Sequence, residues 1–353
     1  MGPAREETPG GGAESGRNRM DTTGLNSALA SLAAGDFDAA ERQSQALLAT
    51  APKDPALHQL AAAIALRRGR LDDAERSARS CLALRPGHAP AMTIAGQAAL
   101  AAGQFARARD WFAAACEATP DRPEPAFLLC VAQLECGDPA AQTSLERIRE
   151  QFPSEARGWS WIGAALRKSG KLDAAALAFS RAFAGSGDPA DAIDQGATLL
   201  TLGRIAEAVA AFRAARQATP DNIAAILGLA QGLRLLSEPA EARALLEKGA
   251  RIDASNPQVQ FALGLVCDDL RDLTGAIAAY RRCVALRPDL PEALVNLGIA
   301  LQRAGEWDEA KEVYRSAIRA RPDTFGRIAQ ALPSTSKGEL WLDPGKLRRS
   351  LGG

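Results

Sequence analysis

Two histidines, His58 and His88, six cysteines and an adjacent carboxylate pair, Asp268 and Asp269, are the residues whose types could do chemistry. A 2-His-1-carboxylate iron site needs both histidines in one facial triad. Here one falls early in an expected helix and the other in an expected turn, which fits packing or surface roles. Cys81, Cys116, Cys130, Cys136, Cys267 and Cys283 are irregularly spaced and form no C-x-x-C. A disulfide framework belongs to small secreted chains. Cys130 and Cys136 leave a regulatory thiol pair conceivable, but small buried roles suit free cysteine better. Adjacent carboxylates on a helix usually form a solvated face. The phosphate-cradling G-x-x-x-x-G-K-S/T and the nucleophile elbow G-x-S-x-G are both absent. The expectation is no catalytic site, no cofactor and no metal, hence no enzyme.

The chain has 353 residues, too many for one compact core in most architectures. Alanine dominates, leucine and arginine follow, and aromatics are only 5%, a mix that favours helix over strand. A hydrophobic content of 47% argues against wholesale disorder. Net charge is zero, from 42 basic and 42 acidic residues, without the basic excess that a nucleic-acid partner calls for. The arginine excess over lysine matches a high-GC bacterial codon bias. No apolar run is long enough for a membrane span, and the N-terminal stretch shows no signal-peptide core. A reducing, cytoplasmic location is expected.

What would position any functional residue is a repeat. A phrase of glycine, any residue, a large apolar residue, two more residues and alanine occurs at Gly35, Gly69, Gly103, Gly170, Gly203 and Gly305. In five of these six, proline follows twelve residues after the alanine: Pro52, Pro86, Pro120, Pro220 and Pro322. Pro288 keeps that offset from Ala276, in a unit where Arg271 replaces the glycine. The step from Gly35 to Gly69 to Gly103 is 34 residues each time. Each unit reads as two antiparallel helices. The glycine ends the first in a left-handed conformation. Proline ends the second, and Asp often follows as a turn residue or N-cap.

This pattern resembles the tetratricopeptide repeat family, whose unit is 34 residues long. The last unit matches best, with Leu294, Leu297, Gly298, Leu301, Ala310, Tyr314, Ala317 and Pro322 in the family's places. Nine units frame at 21–54, 55–88, 89–122, 123–155, 156–188, 189–222, 223–256, 257–290 and 291–324. The fourth is the most degenerate, with Gln142 where a small residue is expected and Glu146 where an aromatic is usual. The resemblance implies an all-α solenoid of about nine antiparallel helix pairs in a right-handed superhelix. Residues 1–20 read as disordered, 21–324 as the array, 325–333 as a capping helix and 334–353 as a loop and short tail. Met20, directly before the first repeat, is an alternative start.

In that family the first helix of each unit lines the concave surface at its second, fifth, ninth, twelfth and thirteenth places. Carried over, the groove takes Phe127, Val131 and Leu134 from the fourth repeat, and Arg157, Arg167 and Lys168 from the fifth. The sixth supplies Ile193 and Leu200, with Ala197 and Thr201. The seventh supplies Leu227, Gln231 and Arg234, with Leu235. Phe261, Leu265, Asp268 and Asp269 come from the eighth, and Val295, Ile299, Gln302 and Arg303 from the ninth. The set is apolar with charges of both signs, which suggests an amphipathic helix or extended apolar peptide as ligand. The Lys and Asn places of a carboxylate clamp and the asparagine ladder of sugar-transferring relatives are missing.

In the tail, Trp341 and Leu342 form an apolar pair, and Asp343-Pro344 reads as an N-cap with proline at the first helical place. The pair is expected to dock on a hydrophobic surface, either the last repeats or a partner. The leading expectation is an adaptor that grips one or more proteins through the groove. The alternatives are a non-catalytic accessory module acting in trans with a transferase or 2-oxoglutarate-dependent oxygenase, and an envelope or secretion assembly factor.

Overall fold

The computed structural model describes residues 12–331, with side chains from Thr23 onward. The described residues form nineteen α-helices and one short 3-10 turn, with no strand. They fall into two units, Met1–Gly170 and Lys171–Gly353.

In the first unit α1 (Gly12–Ala33) pairs with α2 (Phe37–Thr50), α3 (Pro55–Arg67) with α4 (Leu71–Leu84), and α5 (Ala89–Ala101) with α6 (Phe105–Ala118). Then α7 (Pro123–Glu135) pairs with α8 (Ala140–Gln151), and α9 (Ala156–Lys168) follows. The second unit opens with α10 (Leu172–Ser186). Its pairs are α11 (Pro189–Thr201) with α12 (Ile205–Ala218), and α13 (Ile223–Leu235) with α14 (Pro239–Ile252). Next come α15 (Pro257–Asp269) with α16 (Leu273–Leu286), α17 (Pro291–Ala304) with α18 (Trp307–Ala320), and finally α19 (Phe325–Ala331). The odd-numbered helices through α17 are the first helices of the nine framed repeats. The N-terminal helix begins at Gly12, inside the stretch whose composition suggests disorder. Once the turns around buried Ala28 are fixed, each further residue adds a hydrogen bond to an existing nucleus.

Caps fix the register. Asp54, Asp188, Asn222 and Asn256 accept from amides in the first turns of α3, α11, α13 and α15, at 2.8 to 3.1 Å. At the far end of the first helix, Gly69 is left-handed, and Arg70 N donates to Ala65 O, five residues back, at 2.9 Å. This closure satisfies a terminal carbonyl and turns the chain into the second helix. It recurs from Gln104 to Ala99 and from Arg204 to Leu199. Ser237 and Arg271 stand in the glycine place of the seventh and eighth repeats and adopt the same conformation, with φ of 62° and 59°.

Packing within a repeat depends on a second glycine. The rings of Phe112, Phe212, Tyr280 and Tyr314 press on Gly96, Gly196, Gly264 and Gly298, each sixteen residues earlier. A Cβ on any of these glycines would fall within 3.0 Å of the ring. The ring thus approaches the backbone of the first helix directly, and the four rings are essentially solvent-free.

The fourth repeat departs from this plan. Cys130 fills the glycine place and its thiol donates to Ala141 O at 3.8 Å. The buried residues of α8 are Ala141, Ser144 and Ile148, one step out of the family register, while Gln142 and Glu146 are exposed and bond to each other at 3.1 Å. Ala141 N reaches back three residues to Asp138 O, whereas Ala74 N in the second repeat reaches back four to Arg70 O. One residue is missing at the start of α8, which is why the small core residue is Ala141 rather than position 142.

At the C-terminal end, α19 packs on α17 and buries Ile328 completely in a cluster with Val295, Leu301 and Tyr314. This short helix covers the apolar edge that a terminal repeat otherwise exposes.

Candidate partner-binding surface

In the second unit α11 packs on α13 and α13 on α15, so their equivalent places share one surface. Ile193, Leu227 and Phe261 occupy the fifth place, Leu265 and Ile299 the ninth, and Leu200 the twelfth; all six are partly exposed. Each is anchored on the core beneath: Ile193, Leu200 and Leu227 against the cluster around Phe212 and Leu229, the other three against the cluster around Tyr280 and Tyr314. Leu235 is 57% exposed, and Ala197 and Gln231 are also exposed. The result is an apolar row along α11, α13 and α15, which Ile299 of α17 joins through the cluster it shares with Phe261 and Leu265.

One border of the row is charged. Arg234 Nε meets Asp269 Oδ2 at 2.5 Å, and Arg303 Nη1 meets Asp268 Oδ1 at 3.0 Å. Tyr280 Oη donates to Asp268 Oδ2 at 2.8 Å. The adjacent carboxylates therefore tie the seventh, eighth and ninth repeats together. Burial first, and the Asp268 carboxylate next, hold the Tyr280 phenol protonated well above its usual range. Pairs this exposed contribute at most about 1 kcal/mol each, so their stronger effect is to fix where charge stands beside the row.

Five expected groove residues are core instead, among them Gln302, which is 2% exposed and donates to Ala331 O of the capping helix. Val295 is 0% exposed, because Ile328 and Phe325 of the capping helix pack in the same cluster. In the first unit, Phe127 is also 0% exposed, and Val131 and Leu134 are buried. The cause is α9, which approaches α7 through Gly158. The Phe127 ring fills the space a Cβ there would need, and meets Trp159 edge-on at 5.6 Å and Phe152 at 6.4 Å. Arg157, Arg167 and Lys168 are exposed. Arg157 lies over the Trp161 ring at 5.3 Å, and Lys168 pairs with Glu135 at 2.6 Å while facing the Phe105 ring at 5.2 Å. The expected set is thus divided, with the residues through Lys168 in the first unit and those from Ile193 in the second. Trp341 and Leu342 lie outside the described residues.

Sequence reasoning passed over a cleft of about 630 Å³ in the first unit. Gln59, Thr93, Gln97, Arg122 and Glu124 line it together with Pro90 and Ile94. Gln97 donates to Glu124 at 3.3 Å, and Gln59 accepts from His88 Nε2 at 2.8 Å. The signal was available, since Gln59 and Thr93 are fifth-place residues and Gln97 is a ninth-place one. Burial and then Arg85 lower the His88 pKa, which favours the neutral ring. His58 Nε2 donates to Pro52 O at 2.8 Å. Both histidines therefore serve repeat junctions. Burial pushes the thiols of Cys81, Cys116, Cys267 and Cys283 up, away from the reactive thiolate. No helix among the described residues is long and apolar enough to cross a membrane.

Fold and surface define an all-α repeat scaffold whose exposed features are apolar rows and ion pairs. The chain belongs to the tetratricopeptide repeat family, whose models match residues 25–87, 61–123, 139–189, 199–264 and 269–332. Such repeats build protein–protein interaction scaffolds. Among curated proteins, the chain is 33% identical over 113 residues to Protein CTR9 homolog of Arabidopsis thaliana, covering 32% of this chain and 10% of that one. It is 40% identical over 58 residues to Tetratricopeptide repeat protein 8 of Caenorhabditis elegans, covering 16% and 12%. The chain thus spans about a tenth of the length of the curated relatives it matches. Among solved structures, a chain of MamA from residue 41 to its end, of Desulfovibrio magneticus RS-1, is 20% identical with a TM-score of 0.44, over 48% of this chain and 96% of that chain.

Proposed function

We propose that the protein is an adaptor whose second unit grips a partner along the row Ile193, Leu227, Phe261, Leu265 and Ile299. One observation carries this reading: partly exposed apolar side chains recur at equivalent places on successive first helices, with ion pairs along one border. A contiguous apolar strip with a polar rim is the usual form of an interaction site. Its fitting ligand is an amphipathic helix or extended apolar segment carrying charges of both signs. The more polar cleft at Gln59, Thr93 and Gln97 is a separate surface in the first unit.

The test is capture of partners from a lysate of the source organism by the chain and by an Ala197→Glu/Leu235→Glu variant. Both positions are exposed, so helicity should not change. A protein retained by the chain and lost with the variant supports the reading. Equal retention by both moves the binding site off the row.

A further inference from the structure

We infer that the row has a resident occupant in cis, the chain's own C-terminal segment 339–351, which a partner must displace. The inference rests on the partner-binding reading of the same row and adds its regulation.

The first observation is where α19 ends. Gln302 Nε2 donates to Ala331 O at 3.0 Å, and Gln302 Oε1 accepts from Tyr314 Oη at 2.9 Å. Gln302 holds the twelfth place of α17, three residues beyond Ile299, the last member of the row. Arg327 Nη2 lies 3.4 Å from Asn296 Oδ1, in the sixth place of the same helix. The capping helix therefore delivers the chain at Ala331 to the end of the row.

The second observation is reach. Trp341 comes ten positions after Ala331. An extended chain covers roughly 30 Å in that many residues. Neighbouring helices stand about 8–10 Å apart, so Trp341 and Leu342 can reach α17, α15 and α13 in turn.

The third is chemistry. Residues 339–351 read Glu-Leu-Trp-Leu-Asp-Pro-Gly-Lys-Leu-Arg-Arg-Ser-Leu. Leu347 and Leu351 are four apart, the spacing of one helical face. With Trp341 and Leu342 they make an apolar set flanked by Lys346, Arg348 and Arg349 and by Glu339 and Asp343. That is the ligand class the row calls for, since Leu227, Phe261, Leu265 and Ile299 offer apolar contact beside charges of both signs. A short tether places such a segment at an effective concentration on the order of millimolar. This favours the chain's own segment over a second copy at micromolar protein.

A labelled synthetic peptide of residues 339–351 tests this on the full chain. Its affinity is measured by fluorescence anisotropy for the natural chain and for Trp341→Ala/Leu342→Ala, with sedimentation of both. The expected result is monomers throughout, with the peptide binding the variant roughly tenfold or more tightly than the natural chain, because the tethered competitor is gone. Adding Ala197→Glu/Leu235→Glu to the tail variant should weaken that binding, at unchanged helicity. Equal affinity for both chains, or no binding to either, overturns the inference. So does a concentration-dependent dimer that the tail variant abolishes, which would make a second copy the occupant. Partner capture that depends on the row while the peptide fails to bind would leave the adaptor reading standing and remove only the cis occupant.

Discussion

The ring of Phe127 occupies the space that a side chain on Gly158 would need, and this contact joins α7 to α9. In four other repeats the corresponding notch is internal, as where Tyr314 of α18 presses on Gly298 of α17. The fourth repeat has Cys130 and Glu146 at those places, and its aromatic contact runs to the next repeat instead. Gly158→Ala should therefore destabilise the first unit by about 1–3 kcal/mol, the usual cost of overpacking. Denaturant unfolding reads it. Phe127→Leu in the same chain should relieve part of the loss, so the two changes should be non-additive. A neutral Gly158→Ala would show that the contact is loose.

Ser237 and Arg271 bear left-handed backbone that the other repeats assign to glycine. Each conformation costs roughly 1 kcal/mol or more for a residue with a side chain. Part of that gain is offset by the extra freedom glycine brings to the unfolded chain. Ser237→Gly and Arg271→Gly should each stabilise the second unit by about 0.5–1 kcal/mol, seen as a rise in the unfolding midpoint. A fall at either site would contradict the account of these turns.

Tyr280 and Tyr314 are the chain's two tyrosines, both lie in the second unit, and burial raises the pKa of both. The sign follows from linkage. The unfolded phenol ionises near pH 10 while the folded one stays protonated, so stability is intact below about pH 10 and declines above it. Titration followed by phenolate absorbance should show late, cooperative ionisation that coincides with loss of helicity. Gradual ionisation at ordinary tyrosine pH, with helicity intact, would contradict the burial.

The fourth repeat should also be the proteolytic weak point. Its second helix is twelve residues long, against fourteen for α6 and α18, and has no buried ring like Phe112 or Tyr314 to anchor it. Within the array, limited proteolysis should cut between 136 and 158 before it cuts the third or ninth repeat, because a shorter helix without a large buried anchor opens locally at lower cost. Mass analysis of the first fragments decides this, and early cutting in the ninth repeat would reverse the ranking.

Much of the fold was legible because glycine and proline leave periodic marks. Gly69 and Gly103 both sit where the chain must turn left-handed, and Arg271 was recognisable as a substitute by its place alone. The surface was less legible, because a repeat register says which way a side chain points but not what a neighbour lays over it. Val295 has a groove address, yet the capping helix covers it. Phe127 has one too, yet Gly158 draws α9 onto it. The bond from Tyr280 to Asp268 joins two places twelve residues apart, and the family pattern carries no sign of it. The register did hold the cleft at Gln59 and Gln97, where amides rather than apolar residues occupy the lining places.

The central claim is that the apolar row of the second unit is the surface that takes a partner. The most direct measurement is the affinity of a captured partner's binding segment for three chains: natural, Ala197→Glu/Leu235→Glu, and Gln59→Ala/Gln97→Ala. The account predicts a loss of roughly tenfold or more in the second, the scale of an interface hot spot, and little change in the third. Full affinity in the second chain, with loss confined to the third, would place the partner in the polar cleft of the first unit and contradict the claim.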